Sequence, residues 1–269
     1  MFVDQHIVIT GGSSGLGLEL ASQLAAKGAR LTLIARNLAK LEQAASDLRQ
    51  QVPGARVAVQ AVDVCDEQAI SGVMQQIAQQ GQGIDMLINS AGILREGYFE
   101  KAPLADFREV MEINYFGLLN ATRAALPYLE QSRGRLVNIA SMAGLTGAFG
   151  YTAYCASKHA LVGLSEALRY ELQPKGIRVH LVCPGEFDSP MVDELDKART
   201  PENRAHAQII PKAGVEPIAR DTLAGIRTGQ FLIIPTLQAR LTALGIRLMP
   251  RLVRWLGDRT IAGVQRRLR

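Results

Sequence analysis

The chain has 269 residues, 48% of them hydrophobic and 20% charged, with 30 Lys and Arg against 25 Asp and Glu. Such a composition excludes a disordered or collagen-like chain, and the length suits one large domain or two small ones able to bury a core. Cys65, Cys155 and Cys183 are widely spaced with no CxxC pair, which argues against a disulfide framework or a cysteine zinc site and for a reducing compartment. Asp4 and His6 interrupt the N-terminus, so no signal peptide is expected. No run of about 18 apolar residues predicts a spanning helix. The charge is unevenly placed. Residues 238–269 hold eight arginines, no lysine and one acid, Asp258, for a charge of +7, and residues 1–237 sum to −2. Contact with an acidic partner or surface would therefore rest on this tail.

In chain order, short apolar runs alternate with helical patterns. Strands are expected at His6–Thr10, Arg30–Ala35, Arg56–Val62, Ile84–Asn89, Arg135–Ala140, Ile177–Cys183 and Phe231–Ile234. Helices are expected at Gly15–Lys27, Leu38–Gln51, Glu67–Gln80, Asp106–Leu129, Tyr151–Gln173 and Pro217–Thr228. Nearly continuous apolar strands imply burial on both faces, and their alternation with helices implies right-handed βαβ units. The expected fold is α/β: one doubly wound parallel sheet of seven strands with helices on both faces, spanning 1–235, and a basic amphipathic tail, 236–269. The Pro- and charge-rich stretch at about 185–214 follows a strand's carboxyl end, where open α/β sheets bind ligands, and reads as a lid.

Thr10-Gly-Gly-Ser-Ser-Gly-Leu-Gly17 follows the first strand and opens the first helix. Gly11, Ser13, Ser14, Gly15, Leu16 and Gly17 form a candidate phosphate cradle. Glycine permits positive φ and close backbone approach, and the helix N-terminus adds free N–H groups. The same residues match the G-x-S-x-G elbow of serine hydrolases. That elbow needs a downstream histidine in a suitable setting, and neither His159, His180 nor His206 has one. The second strand ends at Ala35-Arg36, with Lys40 beyond, where an acid would favour NAD. Arg36 and Lys40, read as sharing one face of a helix start, fit the 2′-phosphate of NADP(H). Asp63 and Val64 suit an adenine through a carboxylate and a backbone N–H; alone, Asp63 passes as a helix cap.

Tyr154 and Lys158 stand at i and i+4 on one helix face. An ammonium beside a phenol lowers its pKa, and such a tyrosine exchanges a proton with an alcohol or ketone oxygen. Ser141 follows a strand end and can hydrogen-bond the same oxygen. Asn114 sits mid-helix, where an amide is unhelpful. No metal-ligand cluster is read.

Together these residues resemble the short-chain dehydrogenase/reductase family. The matches are Thr10–Gly17, Asn89-Ser-Ala-Gly92, Asn114, Ser141, Tyr154, Lys158 and Pro184-Gly185, in order over about residues 5–235. The resemblance implies a Rossmann-type domain, a nicotinamide cofactor and a homo-oligomer, a dimer or tetramer. It implies that Tyr154 is the acid in reduction and the base in oxidation. Lys158 would lower its pKa and hold the nicotinamide ribose, Ser141 would polarise the substrate oxygen, and Asn114 would support a water-mediated proton relay. Asn89, Ala91, Gly92, Pro184 and Gly185 would line the cofactor. Where the family usually has small apolar residues and a Thr, this chain has Glu186-Phe187-Asp188-Ser189. Ser189 can replace the Thr hydroxyl, and Glu186 places a carboxylate near the substrate entrance.

Within the family, Ile9–Gly15, Ala35-Arg36-Asn37 with Lys40-Leu41, Phe149–Tyr154 and Asp188-Ser-Pro190 resemble the 3-ketodihydrosphingosine reductases. That similarity implies NADPH-dependent reduction of a hydrophobic long-chain ketone at a membrane surface, in a cytoplasmic protein peripheral to that membrane. Other readings are a reductase of another small hydrophobic carbonyl or steroid-like alcohol, and a non-catalytic NADP-binding sensor. In the tail, Arg240, Arg247, Arg251 and Arg254 fall within about 60° on a helix, beside an arc of Leu241, Leu244, Leu248, Leu252, Trp255 and Leu256. Pro250 should kink or split that helix. This pattern suits an anionic membrane surface or a cover over the domain or a dimer seam. Nucleic acid is not expected, since no module or interleaved aromatic pattern accompanies the arginines.

Overall fold

The computed structural model describes residues 2–81, 83–209 and 211–268. Seven parallel strands form one sheet: β1 His6–Thr10, β2 Arg30–Ala35, β3 Arg56–Ala61, β4 Met86–Asn89, β5 Arg135–Ile139, β6 Arg178–Val182 and β7 Leu232–Ile233. Their order, β3-β2-β1-β4-β5-β6-β7, reverses direction between β1 and β4. A crevice opens beyond the carboxyl ends of the strands at such a switch point. In register, Thr10 lies beside Asn89, and Asn89 beside Asn138.

Helices cover both faces: α1 Gly15–Ala25, α2 Leu38–Gln51, α3 Glu67–Gly81, α4 Leu104–Met111, α5 Gly117–Ser132, α6 Thr152–Leu172 and α9 Val215–Arg227. One apolar core packs Leu20 and Leu24 of α1 and Ile218 and Leu223 of α9 against Ile7, Ile9 and Leu33 of the sheet. The other packs Ile70, Met74, Ala121 and Leu129 against Val8, Leu87 and Leu136. Strands β1, β4 and β5 are buried along their whole length, as their apolar runs require.

Several expected elements take a different form. The single helix expected over Asp106–Leu129 is α4 and α5 joined by a π-helical turn, Glu112–Phe116. The expected lid contains two short helices, α7 Pro190–Ala198 and α8 Pro201–Ala207, each with proline in its first turn and a hydroxyl cap, from Ser189 and Thr200. Residues 187 and 213 bridge to each other, and Asp188 N–H donates to the Ala213 carbonyl, so the two ends of the lid are stitched together. In the tail, Pro250 splits the chain into α10 Leu237–Leu248 and α11 Pro250–Leu268. Among the described residues no helix is long and apolar enough to cross a membrane. Ile210, within the expected lid, and Arg269 lie outside the described residues.

Candidate active site

The glycine loop turns β1 into α1 through two left-handed residues, Gly11 (φ 69°) and Gly15 (φ 55°). A Cβ on Gly11 would stand 2.7 Å from the Ala91 nitrogen, so only glycine lets the two loops meet. Ser14 is the N-cap of α1, yet its side chain makes no capping bond. The first N–H groups of α1 thus lack a side-chain acceptor and face the cleft, which suits a pyrophosphate. Gly11, Ser14, Gly15, Leu16, Ser90, Ala91 and Gly92 line this end of the cleft.

At the adenosine end Arg36 and Lys40 do not share a helix face. Asn37 caps α2 by accepting from the Lys40 N–H at 2.9 Å, so Arg36 lies before the helix rather than on it. Arg36 instead approaches Asp63 at 3.8 Å, with both side chains largely exposed. Asp63 also accepts from the Cys65 N–H at 3.0 Å, and the capping role at α3 belongs to Asp66, which accepts from Ala69 N–H. Val64 is buried, and a Cβ on Gly117 of α5 would stand 2.6 Å from its side chain.

Two of the expected site residues, Asn89 and Asn114, bond within the domain. The Asn89 side chain is 2% exposed and donates to Thr122 Oγ1 at 2.9 Å and Asn138 Oδ1 at 3.0 Å. It ties β4 to β5 and α5, and its neighbours Ser90 to Gly92 line the cleft instead. Asn114, on the π-turn, accepts from Ile93 N–H at 2.8 Å and donates to the Ile93 carbonyl and to Ser157 Oγ, both at 3.0 Å. Its side chain joins the loop after β4 to α6. The histidines of the hydrolase pattern are engaged elsewhere: His159 with the Cys155 carbonyl, His180 with the Gln230 carbonyl and His206 with Phe149 N–H.

Ser141, Tyr154 and Lys158 do meet, on the wall of the same cavity, which measures about 600 Å³ with the cleft included. Ser141 caps a 3₁₀ turn, its hydroxyl accepting from the Ala143 N–H at 3.1 Å. Burial pushes the Tyr154 phenol up, and the neighbouring Ser141 hydroxyl partly opposes this. Lys158 is buried, and its Nζ donates to the Ile139 carbonyl at 3.0 Å and lies 5.5 Å from the Tyr154 ring centre. Burial lowers Lys158 to about 8. The tyrosine is therefore held as an acid, with a cation behind it that titrates near neutral pH. Pro184, Gly185, Glu186 and Ser189 line the cavity as well.

Sequence reasoning missed the groups that hold the lid down. Arg199, between α7 and α8, is 5% exposed; it pairs with both oxygens of Glu186, with Asp196 at 3.1 Å and with the Tyr151 hydroxyl at 2.9 Å. The Glu186 carboxylate is thus neutralised where it meets the cavity. The Tyr151 ring meets Tyr154 edge-on at 5.8 Å, and Thr200 Oγ1 donates to Glu96 at 2.6 Å. The one available signal was Tyr151 three residues before Tyr154, at the N-cap of α6.

The family model for short chain dehydrogenases matches residues 5–200. The 3-ketodihydrosphingosine reductase of Mus musculus is 34% identical over 230 residues, 84% of this chain and 69% of that one. A 3-dehydrosphinganine reductase of Danio rerio is 35% identical, with the same shares covered. The crystal structure of levodione reductase superposes with a TM-score of 0.81 at 27% identity, covering 89% of this chain and 99% of that one. The chain belongs to the short-chain dehydrogenase family and is an oxidoreductase of that type, and the relatives it is similar to include 3-ketodihydrosphingosine reductases.

Proposed function

We propose that this protein is an NADPH-dependent reductase of a hydrophobic long-chain 3-keto lipid, resembling 3-ketodihydrosphingosine, and that it works at an anionic membrane surface through residues 238–269. The observation that carries the reading is the Ser141–Tyr154–Lys158 set on the wall of a cavity whose other walls are mostly apolar, among them Leu94, Met142, Phe187 and Val192. When bound, the nicotinamide supplies the hydride. The chain's own residues orient the ketone and deliver the proton. The Ser141 hydroxyl hydrogen-bonds the substrate oxygen. The Tyr154 phenol, protonated because it is buried, donates to that oxygen as it gains charge. The Lys158 ammonium stabilises the phenolate left behind.

The glycine loop and the uncapped start of α1 would hold the pyrophosphate, and Asp63 with the Val64 backbone the adenine. Arg36 and Lys40 would hold the 2′-phosphate; Arg36 exchanges its distant partner Asp63 for the dianion, where a guanidinium binds in bidentate fashion. The test is nicotinamide absorbance with graded ketones, followed by product analysis, using NADPH and NADH in parallel. NADPH should be preferred, and Arg36→Glu should reduce NADPH affinity by about tenfold or more with little change for NADH. Equal losses for both cofactors would overturn the assignment of Arg36.

A further inference from the structure

The tail does not stand apart from the domain. Leu241, Gly245, Met249, Leu252 and Leu256 recur at intervals of four, four, three and four residues, and all five line the same cavity as Tyr154. Pro250 separates the helices that carry them, and it is the shared cavity that joins them into one stripe. Ile246 and Val253 flank it inside the cavity. None of the tail residues lining the cavity is charged. The described tail arginines, from Arg240 to Arg267, are all exposed, so the charges turn outward and the apolar stripe turns inward. The stripe is covered only in part: Leu241 is 59% exposed and Leu252 45% exposed although both line the cavity. The cavity therefore opens to the outside along an apolar wall, and such a wall in water favours an apolar occupant.

We propose that this stripe of α10 and α11 is the subsite for the alkyl chain of the ketone, running outward from Ser141 and Tyr154 between the lid and the tail. It rests on the hydrophobic-ketone reading above. The continuity of stripe and catalytic wall selects the occupant: a chain attached to a carbonyl at Tyr154 reaches these leucines through one uninterrupted cavity. The absence of charge along the tail's share of the wall suits hydrocarbon and not a polar substituent.

The test uses the full-length protein with NADPH and a series of 2-alkanones from butanone to decanone. Each added methylene that lies on the stripe should raise kcat/KM by about fourfold, the factor equivalent to about 0.8 kcal/mol. Two variants address the stripe. A Cβ at Gly245 meets only Val253, at an ordinary 3.7 Å, so Gly245→Leu fills the subsite without a backbone clash. Leu252→Asn makes it polar. Both should flatten the rise from butanone to decanone, whereas Arg247→Gln, on the outward face, should leave it as steep. Trp255, the single tryptophan, precedes Leu256 of the stripe in the chain and supplies a second readout independent of turnover. Its emission should respond to decanol and not to butanol, and Gly245→Leu should abolish the response. A length dependence as steep in folded Gly245→Leu and Leu252→Asn as in the parent would overturn the proposal. Concentration-dependent dimers dispersed by decanol would assign the stripe to a second copy and overturn it too. So would vesicle binding weakened by both variants with the ketone series unchanged, which would assign it to a bilayer. If the parent reduces none of these ketones, the hydrophobic-ketone reading fails, and the Trp255 titration then decides the subsite on its own.

Discussion

Lys158 sits where an ammonium is expensive to keep. Burial lowers it from 10.5 to about 8, so keeping the ammonium charged costs the fold roughly 3 kcal/mol at neutral pH. The sign follows from proton counts. Between about pH 8 and 10.5 the unfolded chain holds a proton that the folded chain has released, so stability rises with pH through that window. Lys158→Met, of similar length, lacks this dependence. In urea unfolding at pH 7 and pH 10.5, the parent should therefore gain roughly 3 kcal/mol relative to Lys158→Met on going to the higher pH. The same variant should lose turnover and weaken NADPH binding, since its ammonium is assigned to both. Tyr154→Phe keeps the ring and removes the proton, so it should lower kcat by at least about a thousandfold while NADPH binding, followed by fluorescence, stays within about twofold. Substantial activity in Tyr154→Phe would sink the mechanism.

Among the elements, the lid depends on one buried cation. Arg199 joins Glu186 before α7, Asp196 within it and Tyr151 at the start of α6, the helix that carries Tyr154. Removing one member of a buried ion pair leaves the others uncompensated. Asp196 and Glu186 keep some access to water, so Arg199→Met should cost about 3 kcal/mol, at the lower end of the usual range. Limited proteolysis should then cut residues 190–207 faster, and KM should rise more than kcat falls. Arg199→Lys should restore only part, because an ammonium cannot present a planar fork to a carboxylate and reach a phenol as well. Cleavage as slow in Arg199→Met as in the parent would show that the ion pair does not hold the lid.

For the whole molecule, the question is what the tail faces. Seven described arginines are exposed, next to an exposed row of Leu244, Leu248 and Trp255. Each arginine near an anionic surface would contribute about 1 kcal/mol, and apolar insertion about 25 cal/mol per Å². Salt weakens the first and leaves the second. Co-sedimentation with anionic vesicles should be strong at low salt and fall at high salt. Deleting the chain from Leu237 onward should abolish it and reduce turnover of long-chain ketones more than that of small ones. No binding at low salt would remove the membrane part of the reading. Equal loss for all substrates would show that the tail serves stability.

Much of this protein follows from local pattern. The order of strands and helices is written in apolar runs separated by glycine, proline and polar residues, because burial on both faces leaves a parallel strand few polar positions. The phosphate loop was legible because Gly11 and Gly15 occupy backbone conformations that disfavour other residues. Tyr154 and Lys158 were legible because four residues make one helical turn. What the sequence did not show depends on partners remote in the chain. Asn89 and Asn114 look like ligands in a motif, and only the tertiary structure commits them to Thr122, Asn138, Ile93 and Ser157. Arg36 and Lys40 lost their shared face to a capping bond from Asn37. The meeting of Arg199 with Glu186 and Tyr151 joins residues up to 48 positions apart. No periodicity encodes such a contact. The tail was legible as amphipathic, since that is a property of one helix. Which way its apolar side turns was decided only by packing, which lays α11 against α8 and completes the wall of the cavity.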